Sequence, residues 1–126
     1  MKRTLLKYIL LGLLLVCVMI IAVEVQFKAI QRVYDNLVLD NRNHYLTCKD
    51  LPTKSEVETV VQQHSDVIQQ IQQVAPESVN VEIDTSLCEG KADVLISYGT
   101  HEQRNAIEKI INGDTFFGIP YRLQNR

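Results

Sequence analysis

From Tyr8 to Val23 the chain carries no charged side chain, and the apolar run reaches from Leu5 to Val25, 21 residues with Lys7 and Glu24 near its ends. A helix rises about 1.5 Å per residue, so a run of this length crosses a hydrocarbon core of roughly 30 Å. Lipid offers no partner to backbone N–H and C=O groups, and a helix pairs them all internally. The pattern predicts a tail at residues 1–7, a membrane anchor at 8–25 and contact with the lipid bilayer through 5–25.

Beyond Glu24 the apolar positions Phe27, Ile30, Val33, Tyr34 and Leu37 recur at three- and four-residue steps with polar residues between them. That is an amphipathic helix. Residues 26–43 read as a stalk helix and linker, ended by Asp40-Asn41-Arg42-Asn43, whose side chains bond locally and suit turns. The stripe rests on the chain's own domain or pairs two copies as a homodimer through residues 27–37. Two heptads are too few for periodicity to choose.

Residues 44–126 read as a small domain. His44–Cys48 predicts a short strand. Thr53-x-x-Glu56 and Ser55-x-x-Glu58 fit capping boxes beside Pro52. They open a helix with an apolar stripe of Val57, Val60, Val61, His64, Val67, Ile68, Ile71 and Val74, and Pro76 stops it. Alternation at Val79, Val81 and Ile83, a turn at Glu89-Gly90, and alternation at Ala92, Val94, Ile96 and Tyr98 predict a hairpin. Thr100-x-x-Gln103 caps a second helix, with Ala106, Ile107, Ile110 and Ile111 inward and Gly113 closing it. Phe116, Ile119, Tyr121 and Leu123 form a last strand, and Pro120, with no amide proton, puts it at a sheet edge.

The order β-α-β-β-α-β is the split βαβ plan of ferredoxin-like folds, an α+β class with an antiparallel sheet in the order 4-1-3-2. That plan brings the end of its first strand beside the turn of the hairpin. Cys48 and Cys88 then lie within the Cα spacing of about 6 Å that a disulfide needs. The strand-turn-strand-helix-strand rhythm of residues 79–125 resembles that of many small envelope domains, BON-like ones among them, and is too widely shared to name a family.

Charge sets the orientation. Lys2, Arg3 and Lys7 precede Tyr8, while the twenty residues after the span hold Lys28, Arg32 and Arg42 against Glu24, Asp35 and Asp40, so positive charge is denser at the amino end. Residues 44–126 hold seven Lys/Arg against twelve Asp/Glu, a net −5. Positive charge stays in the cytoplasm, so the tail is expected there and the domain outside it. Secretory signals have apolar runs of about 7–15 residues and small residues at their end. This run is longer, and its end offers only Ala22, so an uncleaved signal-anchor is expected in the cell (inner, cytoplasmic) membrane, with a periplasmic domain. Val16 stands before Cys17, where lipoprotein boxes resemble one another in a small residue. An acidic domain is a poor nucleic-acid binder, because phosphates need a basic face.

Motifs for catalysis are absent. His44, His64 and His101 show no ligand spacing, and there is no Cys-x-x-Cys, nucleophile elbow or glycine-rich phosphate loop. Neither an enzyme nor a cofactor is expected. Three aromatics fall within Phe116–Tyr121, and with Phe116, Ile119 and Tyr121 turned inward, Phe117 is left over. Aromatics and Arg are enriched at binding hot spots, so Phe117, Tyr121 and Arg122 are candidate partner-binding residues. The expected function is a protein-interaction domain, a subunit or accessory factor of an envelope membrane complex. The alternatives are a metal-handling domain using His44, Cys48 and Cys88, and an unrecognised hydrolase.

Overall fold

The computed structural model describes residues 2–126; Met1 and the side chains of Lys2 and Arg3, which belong to the expected tail, lie outside the described residues. The chain divides into two compact units between Tyr34 and Asp35. The first holds helix α1 (Lys2–Phe27) and most of α2 (Ala29–Leu37). Within α1 the span Thr4–Phe27 (24 residues) contains an 18-residue window with a mean hydropathy of 2.8, none of it buried, so the helix is long and apolar enough to cross a membrane. The two helices are not continuous. Lys28 takes the left-handed conformation (φ 51°) between them, and the Glu24 carboxylate accepts hydrogen bonds from the amides of Ile30 (2.7 Å) and Gln31 (3.3 Å).

The second unit contains α3 (Lys54–Gln63), α4 (Ser65–Gln72), β1 (Asn80–Asp84), β2 (Asp93–Tyr98), α5 (His101–Ile111) and β3 (Tyr121–Asn125). Thr53 and Glu56 form the expected capping box at the start of α3, each side chain taking the other's backbone amide. The single helix expected from residue 53 to Pro76 is two. His64 leaves the helical region (φ −113°, ψ 34°), and its carbonyl accepts from Val67 and Ile68 to start α4. Thr100 caps α5 as expected, and Asn112, not Gly113, supplies the left-handed residue that ends it. Asparagine tolerates that conformation best after glycine.

The sheet has three strands in the order β1-β2-β3. β1 and β2 are the expected antiparallel hairpin, while β2 and β3 run parallel, joined through α5. The four-stranded antiparallel sheet of the ferredoxin-like plan is corrected by this mixed one. The reason lies in His44–Cys48, which forms no strand. Tyr45 is left-handed (φ 57°), the Asn43 carboxamide accepts from the Tyr45 amide (3.0 Å), and His44 Nδ1 accepts from the Leu46 amide (3.0 Å). Local side-chain bonds thus satisfy amides that a strand would have offered to the sheet. β3 closes directly on β2 instead. It is an end strand, as Pro120 implies, and its outer side carries one bridge, from Arg42 to Leu123.

Register assigns the two faces. Val81 and Ile83, Val94, Ile96 and Tyr98, and Tyr121 and Leu123 face the helices, where Val57, Ile71, Ile107 and Phe116 complete the core. Fully burying each of the larger side chains contributes roughly 1.5–3 kcal/mol. α3 touches β1 and β2, and α4 touches β1 and α5. β2 is buried along its whole length, including Asp93, Leu95 and Ser97 on the opposite face. Cys48 and Cys88 are disulfide-bonded, with Cα atoms 5.7 Å apart. A loop and not a strand delivers Cys48 there: Pro52 and Gly90 carbonyls accept from Ala92 (3.1 Å) and Lys54 (3.3 Å). Cys17 is a free thiol on α1.

Candidate functional site

The segment Phe116–Ile119 is a tight turn closed by both hydrogen bonds between its ends, Phe116 N–H to Ile119 (2.8 Å) and Ile119 N–H to Phe116 (3.0 Å). Its two central residues, Phe117 (φ 49°) and Gly118 (φ 88°), are both left-handed. Such turns favour Asn, Asp or Gly at both places. Gly118 conforms. Phe117 does not, and a side chain held there costs about 1–3 kcal/mol. Phe116 points inward and is fully buried, while Phe117 is 52 % exposed. The Phe117 ring stacks flat on His64, centroids 3.5 Å apart and planes 3° from parallel. Phe116 meets it edge-on at 5.0 Å. The break between α3 and α4 is what places His64 beneath the turn.

The other two candidate residues stand elsewhere. Tyr121 is buried in the core, its hydroxyl donating to the Gly113 carbonyl (3.0 Å) and the Arg42 guanidinium lying 4.9 Å from its ring centre. Arg122 lies on the opposite face, where it pairs with Asp93 (2.5 and 3.0 Å) and with Asp84. Asp93 is fully buried and also takes a hydrogen bond from His44 Nε2 (2.8 Å). Burial raises the Asp93 carboxyl, but hydrogen bonds from His44 and Arg122 with the guanidinium charge outweigh it, leaving it below the usual carboxylate range. Asp84 is lowered in the same way: burial opposes, and Ser86 and Arg122 prevail.

A third cluster escaped the sequence reading. Asp40 (φ 52°) accepts from Arg104 Nη1 and His101 Nδ1, both at 2.8 Å, and its carbonyl accepts from the Tyr98 hydroxyl. Arg104 is 6 % exposed and also donates to Asn36 and to Glu108 (3.3 Å). Asn41 accepts from the Asn125 amide (2.7 Å), and Arg42 pairs with Asp114 (2.8 Å). Burial raises the Asp40 carboxyl and is outweighed by His101 and Arg104, so it too is lowered. Burial and the nearby Asp40 charge push the Tyr98 phenol up to about 12. One signal was readable: Arg104 falls three residues before Ile107, on the inward stripe of α5, and a charge there calls for a buried partner.

These clusters neutralise charge and fasten loops. Among the described residues no buried side-chain nitrogen or oxygen lacks a hydrogen bond. Among the same residues no three His, Cys, Asp or Glu side chains gather as a metal site. For His44, Cys48 and Cys88 the chemistry is plain: both sulfurs are in the disulfide, and both imidazole nitrogens are engaged, by Asp93 and the Leu46 amide. Of the three candidate residues Phe117 is the exposed one, and it is held there in a left-handed backbone.

No family model matches the chain, and neither a curated protein nor a solved structure matches it.

Proposed function

We propose that this chain is a single-pass envelope membrane protein with a cytoplasmic tail, whose C-terminal domain stands outside the cytoplasm and binds another protein as a subunit or accessory factor. The apolar α1, the basic residues in its first turns and a disulfide of the kind that persists in oxidising compartments support the location. The binding role rests on one observation: Phe117 is held half-exposed in a left-handed conformation that glycine would occupy at less cost. Strain with no return in core burial is a mark of a functional position. Aromatic anchors at the centre of an interface contribute most of its binding energy. Tyr121 and Arg122 support the strand behind the turn in this reading, one in the core and one in its carboxylate pair.

The test uses full-length protein in membranes, with a photoreactive amino acid at position 117 and a control at exposed Glu58. A defined adduct with one envelope protein from 117 and none from 58 is expected. Equal labelling at both positions, or none at 117, overturns the reading.

A further inference from the structure

The helix α2 is amphipathic and none of its residues is buried. At about 100° per residue, Val33, Leu37, Ile30 and Tyr34 fall within an arc of roughly 100°, with Gln31, Asp35, Arg32 and Asn36 filling the rest. The four apolar side chains are 58, 76, 60 and 53 % exposed, and Phe27, at the end of α1, is 61 % exposed. We infer that the occupant of this face is the bilayer itself: α2 is an interfacial helix, its apolar arc sunk into the headgroup boundary of the leaflet where α1 emerges. The inference rests on the proposed reading of α1 as a membrane anchor.

Three observations carry it. The first is proximity. The apolar window ends at Phe27 and α2 begins at Ala29. Even continuing straight, at about 1.5 Å per residue, Ile30 stands only about 5 Å and Tyr34 about 10 Å beyond that end. The interfacial layer on each side of the hydrocarbon is itself roughly 5–8 Å deep. On that straight line Ile30 stays within the layer, and any tilt of α2 from the line of α1 brings Tyr34 back towards it.

The second is the break. A left-handed Lys28 ends the line of α1, and Glu24 reaches across it to cap the amides of Ile30 and Gln31. A carboxylate at the rim of a membrane span is thereby given fixed partners, and α2 is restarted with its own direction. The same break disfavours a parallel coiled coil, because a heptad seam must run unbroken, and α2 alone has nine residues. The third is chemistry. A clean apolar arc opposite a polar face, with an aromatic phenol at its border, suits the membrane surface, and Arg32 against Asp35 leaves the polar face without net charge. Tethering by α1 removes the need for strong independent affinity.

Full-length protein in phosphatidylcholine vesicles, with Cys17→Ser and one new cysteine bearing a nitroxide, decides the matter. Labels at Val16, Ile30, Val33, Gln31 and Asp35 are compared by collision with oxygen, which concentrates in lipid, and with a water-soluble nickel complex. The oxygen-to-nickel ratio should be several-fold higher at 30 and 33 than at 31 and 35, with 16 in the lipid range. If 16 is in lipid while 30 and 33 match 31 and 35, the interfacial helix is wrong and the anchor stands. If 30 and 33 are shielded from both reagents and show spin–spin broadening, a second copy covers the face and the inference is overturned. A water-exposed label at 16 removes the anchor and the inference together.

Discussion

Breaking the Cys48–Cys88 bond gives the clearest quantitative test of the domain. The bond closes a sequence separation of 40 residues. By loop-closure entropy, that constraint on the unfolded chain stabilises the fold by about 4 kcal/mol at 25 °C. A unit of roughly 90 residues has a net stability of about 5–14 kcal/mol, so the bond supplies more than a quarter of it. The folded state should survive the loss, because backbone hydrogen bonds from Ala92 to Pro52 and from Lys54 to Gly90 hold the same loops together. Urea unfolding of the full-length protein in detergent, followed by near-ultraviolet circular dichroism of its tyrosines, measures the change. Cys48→Ser, Cys88→Ser and the double variant should each lower stability by the same amount, about 4 kcal/mol, with a steeper denaturant slope as the unfolded state expands. A loss under about 1 kcal/mol, or a double variant equal to the sum of the singles, refutes the reasoning.

Three further outcomes follow from the buried charges and the exposed ring. Arg122→Ala leaves Asp93 ionised, buried and short of its main counter-charge, and should lower stability by about 3–5 kcal/mol in the same urea assay. The carboxyls of Asp40, Asp84 and Asp93 are depressed in the folded state, so their contribution is present above the ordinary aspartate range near pH 4 and is lost as pH falls through the lower folded values. Tyr98 is raised, so its contribution is full below about pH 10 and disappears as pH climbs towards 12; a melting temperature that is flat across both windows contradicts these assignments. Phe117→Gly exchanges ring stacking for relief of a left-handed backbone, so stability should stay within about 1 kcal/mol while partner crosslinking is lost. A fall of several degrees in melting temperature would instead make Phe117 a structural residue.

Local rules carried the sequence reading a long way. Apolar length marked α1, two threonine caps fixed the starts of α3 and α5, and period-two alternation placed the β1–β2 hairpin. The disulfide was found as well, although the expected route to it was different, since Cys48 arrives on a loop. What stayed hidden depended on side chains satisfying backbone groups in competition with the sheet. Asn43 and His44 capture the Tyr45 and Leu46 amides, which abolishes the expected first strand and leaves β3 free to pair in parallel with β2. His64 kept the helical period of its neighbours and still breaks the helix. Its place under Phe117 comes from a turn more than fifty residues later, beyond the reach of periodicity. Asp40 and Asn41 read as a polar linker, yet they hold Arg104 and the last strand through contacts distant in sequence.

The proposed binding role requires the domain to stand outside the cytoplasm on an uncleaved anchor. Two fusions after Arg126 of the full-length chain, produced in a bacterial host, measure this directly: an alkaline phosphatase, active only after export, and a fluorescent protein that matures only in the cytoplasm. An exported domain on a retained anchor gives an active phosphatase at full fused length and a dark fluorescent protein. An inactive phosphatase with a bright fluorescent protein contradicts it.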